Sequence, residues 1–546
     1  MLRGFLHLYS WRYAVWLIAV LQKVHYKPSA FLRVFWTSDD IAESAKQQEL
    51  RLVSRNYGLL WLVRIGSAAE ILWAIFIGYQ AISSPSDSPG GLQFALAVLF
   101  AFPIVWAHVV ALVMVSSYLA KPKYVGRRVL SRIFAVQVRR LRRKHHFKVV
   151  AIVGSVGKTS TKTAVAKALG VSKRVLWQEG NYNVDLTVPL VLFGHELPGL
   201  FNIPAWIRIW FKNRRIIAQK EFPYDVAVLE LGTDEPGQIA QFAYVKPDVV
   251  VVTAVSPEHM EFFQTLDAVA EEELTALSFA RKALINIDDV NAAYLKGKKF
   301  ISYGLTPKAT YHASDLKEKG IKGQSLKLTL GKSHAFQATI PMLGVQGAKM
   351  AVAAAAVAHV LDVENADIEK GLKSVEAFAG RMRIFKGIKE TTLIDDTYNA
   401  SPIAVNAALD VVYATKAPQR IAILGSMNEL GDYSSAAHQE VGAHCRADKL
   451  DLVVTIGHDA NTYLAPIAVE QGCTVKTFDS PYAAGLYVKK QLKKGALVLA
   501  KGSQNRVFAE ESLKQLLLDK HDAVHMVRQS EYWLAVKQKQ FSDFIA

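Results

Sequence analysis

The chain has 546 residues, 51% of them hydrophobic, and its mean hydropathy of +0.14 is high for a soluble protein. Its length indicates about three domains, and two cysteines exclude a disulfide-rich scaffold. The net charge of +17 is concentrated at the start, because residues 1–148 carry 20 Lys/Arg and 6 Asp/Glu and the remainder is nearly balanced. No nucleic-acid partner is therefore expected for the main body.

Two apolar stretches predict a membrane-anchoring hairpin within residues 1–146. Residues 59–82 are long enough to cross a bilayer, and residues 92–120 contain no formally charged side chain. The turn between them lacks Lys and Arg, whereas residues 121–148 contain eleven, so the positive-inside rule places both flanks in the cytoplasm. These patterns predict a multi-pass cell-membrane protein with two spans and cytoplasmic catalytic domains. A buried helical pair in a soluble domain is the alternative.

Two further segments are interpreted as lipid-associated, which makes membrane lipids expected partners. Residues 13–21 are apolar but too short to span, and we interpret them as an interfacial helix, with a signal-peptide core or a third span as alternatives. Residues 121–146 interleave Arg with apolar residues. They predict a basic juxtamembrane helix on anionic lipid, with a solvated charge run as the alternative.

The remaining residues alternate apolar strands with helices. This alternation predicts an α/β fold with mostly parallel sheets, which we divide into a central domain at 147–378 and a C-terminal domain at 379–546. The predicted strands are 149–153, 226–231, 249–255, 283–287, 421–424, 452–456 and 497–500.

A glycine loop follows the first of these strands and leads into a helical stretch. Strand, loop and helix in this order form the context of a phosphate-binding loop, because backbone N–H groups and a helix N-terminus then face the anion. We expect Lys158 to reach the phosphates of ATP and Thr159 to hold Mg²⁺; a tight turn with an exposed lysine is the alternative. The predicted nucleotide-binding residues of the loop are Gly154, Ser155, Gly157, Lys158, Thr159 and Ser160.

Glu230 and His259 each stand near the end of a predicted strand. The carboxyl ends of neighbouring parallel strands meet at the crevice where α/β sheets bind ligands, so both side chains are candidate metal ligands beside the phosphates. Mg²⁺ prefers oxygen ligands, and a structural histidine is therefore the alternative for His259.

Short motifs in a fixed order carry a resemblance to the Mur ligase family, in particular to its D-alanyl-D-alanine-adding branch. They are GNYN at 180–183, ELG at 230–232, SPEH at 256–259, GR at 380–381, DDTYNA at 395–400, GSMNELG at 425–431 and KGS at 501–503. The resemblance covers about residues 147–546. It implies a central ATPase domain, a Rossmann-like C-terminal domain, ATP and Mg²⁺ as cofactors, and the joining of a carboxylic acid to an amine through an acyl phosphate.

The resemblance also implies roles for single residues. Arg381 would reach the ATP phosphates from the C-terminal domain, and Asp396 would bind the ribose; a surface arginine and a helix start are the alternatives. Tyr398 and Asn399 would lie beside the nucleotide and the amine. The residues expected to act in catalysis are Lys158, Glu230, His259 and Arg381, and those expected to face the substrates are Asn181, Asn183, Lys501 and Ser503.

The chain departs from the family at four places. Glu273 stands where the family carries a carbamylated lysine, and we expect its carboxylate to serve the metal; a surface-helix glutamate is the alternative. Gln346 and Gly347 stand where the family has a His-Asn pair, and this replacement weakens the expectation of the family's adenine contacts. Ser426 and Gln504 stand where the family has an acidic residue and an arginine, so the family's specificity for the amine acceptor is not implied for this chain. No uridine-nucleotide-binding domain is recognisable, and the membrane segment stands in its place.

Together these features predict a membrane-anchored ligase that adds an amino acid or a dipeptide to a cell-wall precursor acid, UDP-linked or lipid-linked. Two other interpretations are a poly-γ-glutamate-synthase-like membrane ligase, whose acceptor is a single amino acid, and a degenerate nucleotide-binding scaffold. Phosphate release that depends on an added amino acid or dipeptide distinguishes an enzyme from the scaffold. The sequence does not indicate an oligomeric state.

Overall fold

The computed structural model of the chain describes residues 122–178, 182–331, 334–504 and 506–542, with scattered helical positions between 61 and 83. The chain forms two compact units, Met1–Leu130 and Ser131–Ala546. The two lobes described below belong to the second unit. Residues 13–21 and 92–120, and most of residues 59–82, lie outside the described residues.

The prediction of a multi-pass membrane protein is wrong on the part of the chain that the structure describes. None of the helices in that part is both long enough and apolar enough to cross a bilayer. The basic helix predicted at 121–146 is present as α1 (Pro122–Lys144), but Phe134, Val138 and Leu141 on its C-terminal half are buried in the second unit. Val129, Ile133 and Val136 of the same helix are exposed. Only part of its apolar surface is therefore covered by protein, and the contact with lipid stays a prediction.

The first lobe is built on a nine-stranded sheet. Its strands are β1 (Lys148–Val153), β2 (Val175–Leu176), β3 (Val226–Glu230), β4 (Val249–Val252), β5 (Lys282–Asn286), β6 (Ile301–Gly304), β7 (Tyr311–Glu318), β8 (Gln324–Leu330) and β9 (His334–Ile340). Their order is β2-β3-β1-β4-β5-β6-β7-β8-β9. In this spatial order, every neighbouring pair from β2 through β7 is parallel, whereas β7, β8 and β9 form an antiparallel meander at one edge.

Helices cover this sheet, so its central strands are buried on both faces and are continuous apolar runs. They are α2 (Lys158–Leu169), α3 (Thr187–Leu192), α4 (Ile203–Ala218), α5 (Met260–Phe263), α6 (Leu266–Leu274), α7 (Gly344–Val360) and α8 (Asn365–Lys373), with 3₁₀ turns at Ile239–Tyr244, Thr275–Phe279 and Ala292–Leu295. The alanine-rich α7 packs on α2. Gly371 of α8 also lies against α2, where a Cβ would come within 2.4 Å of the Lys167 carbonyl oxygen.

The second lobe contains a six-stranded sheet. Its strands are β10 (Arg383–Lys386), β11 (Thr392–Asp396), β12 (Arg420–Gly425), β13 (Leu452–Ile456), β14 (Val475–Phe478) and β15 (Leu497–Lys501). Their order is β10-β11-β15-β12-β13-β14, and every pair is parallel except β10 with β11. The helices are α9 (Pro402–Ala414), α10 (Ser434–His444), α11 (Ala465–Glu470), α12 (Pro481–Gln491), α13 (Glu510–Lys514) and α14 (Glu531–Gln540), with short 3₁₀ or π turns at Ile388–Glu390, Gly431–Tyr433, Ala460–Leu464 and Lys520–His525.

The predicted α/β fold with parallel-rich sheets is confirmed. Each predicted strand is present, although β4 ends at Val252, because Val255 pairs through its N–H with the Asp289 carbonyl instead of continuing the ladder. The meander β7–β9 was not among the predicted strands. The loops that follow β1, β3 and β4 line one cleft together with the loops that follow β11 and β12.

Candidate nucleotide-binding and ligase site

The glycine loop after β1 has a shape that only glycine permits at one position. Gly154 has φ 120°, and a Cβ there would lie 2.4 Å from Thr253 Oγ1 on the neighbouring strand end. Gly157, with φ 85°, directly precedes α2. The loop therefore turns sharply and presents the N-terminus of α2 to the cleft, as an anion-binding loop requires.

Lys158 lies folded onto this loop. Its Nζ contacts the Gly154 carbonyl, lies 3.3 Å from the Ser155 carbonyl oxygen and lies 3.4 Å from Glu258 Oε2. Burial by itself would lower the pKa of Lys158, but the negative charges of Glu258, Glu273 and Glu230 outweigh it and raise the pKa. The ammonium is thus charged at neutral pH and faces an anion-binding loop.

Glu230 at the end of β3 is buried and has capacity left for a cation. Its Oε1 accepts from Thr159 Oγ1 at 3.3 Å and from Asn183 Nδ2 at 3.2 Å. Lys162 Nζ lies 3.2 Å from Oε2, but no hydrogen bond is aligned on that oxygen. A buried carboxylate oxygen without a hydrogen bond beside the phosphate loop fits a metal ligand.

His259 joins the two lobes. It has a left-handed backbone (φ 50°), and its Nδ1 lies 2.8 Å from Glu429 Oε2 of the second lobe. Its Nε2 lies 3.4 Å from Asp234 Oδ1 and 3.6 Å from Glu258 Oε1. Burial opposes protonation, but the hydrogen bond to Glu429 and the nearby carboxylates outweigh it, and the pKa of His259 is raised.

The predicted metal ligands do not form a closed cage. Among the described residues, no three His, Cys, Asp or Glu side chains converge as a metal site. Mg²⁺ in nucleotide sites is typically bound by one or two carboxylates together with phosphates and water. Glu230 Oε2, which has no aligned hydrogen bond but lies 3.2 Å from Lys162 Nζ, fits that pattern, and Thr159 is in hydrogen-bond contact with the same carboxylate.

Glu273 lies beneath the phosphate loop. Its Oε2 accepts from the Gly154 N–H at 2.7 Å, and it does not line the cleft. Burial raises the pKa of Glu273 to about 7, Lys158 opposes the shift, and Glu258 adds to it. The side chain predicted to serve the metal is therefore placed as a support of the loop backbone.

Arg381 reaches the cleft from the second lobe. Its Cζ lies 4.5 Å from the centroid of the Tyr398 ring, and its Nε is buried without a hydrogen-bond partner. The side chain lines the same cleft as Lys158 and Glu230. A stacked guanidinium with an unsatisfied donor fits a phosphate ligand.

Asp396 and Lys501 form a buried ion pair. Lys501 Nζ donates to Asp396 Oδ2 at 2.6 Å and to the Asn399 carbonyl oxygen at 3.0 Å. Burial lowers the pKa of Lys501, and Asp396 opposes that shift. Lys501, which we expected to face the substrates, lines the same cavity as Asp396, the residue expected to bind the ribose.

The other predicted substrate residues are placed differently. Asn183 and Asn399 line the cleft. Ser503 is buried, and its hydroxyl accepts from the Asn428 N–H at 2.9 Å, so it supports the 426–431 loop. Asn181 lies outside the described residues.

Two cavities lie between the lobes. One, of about 270 Å³, is polar and is lined by Lys158, Glu230, His259 and Arg381. The other, of about 130 Å³, is mainly apolar. It is lined by Gln346, Met350, Phe378 and Asp396, among others. A polar cavity that adjoins an apolar one fits a nucleotide with its phosphates in the first and its base in the second.

Several residues of the site were not predicted. Lys162 follows Lys158 by one helical turn, and that spacing is a signal that sequence reasoning could have used. Glu258 adjoins His259, and Glu429 lies within the GSMNELG motif; neither was assigned a role from the sequence. No local sequence pattern around Asp234 indicates a role at the site.

Comparisons with known proteins agree with this geometry. The Mur ligase middle domain matches residues 212–358, and the Mur ligase glutamate ligase domain matches residues 380–504. A UDP-N-acetylmuramoyl-tripeptide–D-alanyl-D-alanine ligase of Synechocystis sp. is 29% identical over 391 residues, which cover 70% of this chain and 77% of that protein.

Two solved structures share the fold. MurF from Acinetobacter baumannii superposes with a TM-score of 0.58 at 23% identity, covering 71% of this chain and 79% of its own. The MurF ligase from Thermotoga maritima in complex with ADP superposes with a TM-score of 0.56 at 22% identity, covering 71% and 83%. The prediction of a Mur-type ligase with ATP and Mg²⁺ as cofactors is confirmed. Two successive parts of the chain thus match the middle domain and the glutamate ligase domain of Mur ligases.

Proposed function

We propose that this chain joins a cell-wall precursor acid to an amino acid or a dipeptide, with ATP converted to ADP and phosphate. The observation that carries the proposal is that Lys158, Glu230, His259 and Arg381, drawn from two lobes, line one polar cavity. The named activity of the Synechocystis relative, addition of D-alanyl-D-alanine to a UDP-N-acetylmuramoyl-tripeptide, indicates the kind of acid and amine.

In the first step a carboxylate oxygen of the acid bonds to the γ-phosphorus of ATP, and the bond between that phosphorus and the bridging oxygen breaks to release ADP. Both reactants are anionic, so their repulsion must be offset by fixed cations. We propose that Lys158 and Arg381, which line the cavity from opposite lobes, do this. Mg²⁺, which Thr159 and Glu230 would hold, would supply further charge neutralisation.

In the second step the amine nitrogen bonds to the acyl carbon, and phosphate leaves. The acyl phosphate must be kept from water, which the approach of two lobes achieves. Asn183, Asn399 and Gln504 line the same cavity with neutral amide groups, which suits an acceptor recognised by hydrogen bonds.

The carrier of the acid is the finer part of the proposal. No uridine-nucleotide-binding domain is recognisable before residue 147, and we infer that the acid is lipid-linked, with the UDP-linked tripeptide as the alternative. If the carrier stays outside the cleft, only the carboxylate of the acid has to enter the polar cavity.

The test is phosphate release by the full chain with Mg²⁺ and ATP. UDP-linked and lipid-linked tripeptide are each combined with D-alanyl-D-alanine, a single amino acid, or no amine. We expect release to require both acid and amine and to be faster with the dipeptide. Release with a single amino acid alone would favour the poly-γ-glutamate-type ligase, and no release with any pair would overturn the proposed function. Equal rates with the two carriers would overturn the inference about the lipid.

A further inference from the structure

We propose that Arg528 is a positioning residue that holds the Tyr398–Arg381 pair over the nucleotide site. The match to the glutamate ligase domain ends at residue 504, so Arg528 lies beyond it. The inference rests on the proposed function, since it assigns Arg381 to the nucleotide.

One guanidinium holds two consecutive carbonyl groups. Arg528 Nη2 donates to the Thr397 carbonyl oxygen at 2.6 Å, and Nη1 donates to the Tyr398 carbonyl oxygen at 3.1 Å. The planar fork of arginine fixes both acceptors at once, which a lysine cannot do. The peptide between Thr397 and Tyr398 is therefore fixed in orientation, and with it the direction in which the Tyr398 side chain leaves the backbone.

The Tyr398 ring in turn carries Arg381. The guanidinium carbon lies 4.5 Å from the ring centroid, and the Nε of Arg381 has no hydrogen-bond partner. A cation above an aromatic face in a partly desolvated cleft is attracted by the negative face of the ring. The position of the Arg381 charge in the cleft therefore depends on the ring beneath it.

A buried charge network holds Arg528 itself. Its Nε donates to Glu510 Oε1 at 2.8 Å, and its side chain is 7% exposed. Lys537 of α14 pairs with the same Glu510 at 2.9 Å and with Glu511 at 2.6 Å. Arg528 and Lys537 are thus both held by buried carboxylates, so the fork of Arg528 has little freedom to turn.

The opposite side of the loop is also anchored. Asp395 accepts from the Thr397 N–H at 3.2 Å and from the Gly380 N–H at 3.2 Å. The loop that carries Tyr398 is thus held by Asp395 on one side and by Arg528 on the other, and Arg528 is the only one of the two that comes from outside the matched domain.

The test measures the affinity of the full chain for ADP by calorimetry with Mg²⁺ present, alongside the thermal midpoint of unfolding. We expect Arg528→Ala to weaken ADP binding about tenfold, because the Arg381 charge is no longer held in place, and Arg528→Lys to weaken it less. Lys514→Met is the matched control, since Lys514 pairs with Glu511 at 3.3 Å in the same network without an observed bond to the loop. Its ADP affinity should stay within about twofold of wild type.

A double-mutant cycle separates positioning from a structural role. If Arg528 acts through Tyr398, the variant Arg528→Ala/Tyr398→Ala should bind ADP no more weakly than Tyr398→Ala alone. Additive losses, or an Arg528→Ala variant that binds ADP like wild type, would overturn the inference. Should Arg528→Ala not fold, Arg528→Lys takes its place in the cycle. A wild-type chain that binds no ADP would instead overturn the proposed function.

Discussion

The two lobes contribute to the cleft in different ways. In the first lobe the phosphate-facing groups follow one another along a single strand, loop and helix, and its cations are paired within the lobe: Lys158 with Glu258 at 3.4 Å and Lys162 with Glu230 at 3.2 Å. In the second lobe the site comes from separate loops, and Glu429 pairs across the cleft with His259 at 2.8 Å. The first lobe is thus a locally built anion site, whereas the contribution of the second depends on closure and on a remote buried charge network.

The largest effect is expected from the locally built site. Lys158→Ala should lower kcat/KM for ATP about a thousandfold, because one preorganised cation facing the transferring phosphoryl group is lost. Lys167→Ala, at the other end of α2, is the control and should change kcat/KM for ATP less than about twofold. Phosphate release measures both, and product formation by Lys158→Ala at the wild-type rate would contradict the assignment of the loop.

Glu230→Gln should lower kcat about a hundredfold through the loss of a metal ligand. It should also lower the free energy of unfolding by about 3 kcal/mol, because buried Lys162 loses its counter-charge. Urea unfolding and phosphate release measure the two effects. The double variant Glu230→Gln/Lys162→Met should regain stability but not activity, and a double variant that regained activity would show that Glu230 serves only the ion pair.

Glu273 makes the stability of the first lobe depend on pH. Its pKa is about 7 in the folded chain against 4.5 for the free group. Below pH 4.5 both states hold the proton; as the pH rises towards 7 the unfolded chain loses it first, so the folded state loses stability. Relative to Glu273→Gln, wild type should lose about 3 kcal/mol of unfolding free energy across this range.

Urea unfolding at several pH values between 4 and 8 measures this difference. Glu271→Gln, at an exposed position of the same helix, is the control and should track wild type. A Glu273→Gln curve that runs parallel to wild type would contradict the buried, protonated state.

The smallest effect is expected at the contact between the lobes. Glu429→Ala removes a hydrogen-bonding partner of His259. The Glu429 side chain is 32% exposed, so the contact is worth about 1 kcal/mol and kcat should fall about fivefold. ADP affinity should not change, because the phosphate loop is intact. Asp432→Ala, exposed a few residues further on, is the control. A loss of ADP affinity equal to the loss in kcat would place Glu429 in the nucleotide site and blur the contrast between the lobes.

Sequence reasoning reached the parts of the site whose chemistry is contiguous. The loop from Gly154 to Thr159, the strand end at Glu230 and the segment after β4 that carries His259 follow from local pattern, because strand, turn and helix preferences are set within a few residues. The same reasoning did not show that Lys501 pairs with Asp396 or that Ser503 supports a loop. For α1, the amphipathic pattern indicated an apolar face but not that Phe134, Val138 and Leu141 pack against protein.

The sequence by itself determined the α/β fold, the phosphate loop and the order of the family's motifs, since these depend on short-range periodicity and on residues adjacent in the chain. Only the tertiary structure decided that Glu273 lies under the loop, that Glu429 meets His259, and that Arg528 holds the backbone of Tyr398. These contacts join residues far apart in sequence. Their formation depends on how buried charges find partners once helices and sheets have packed, which no local pattern encodes.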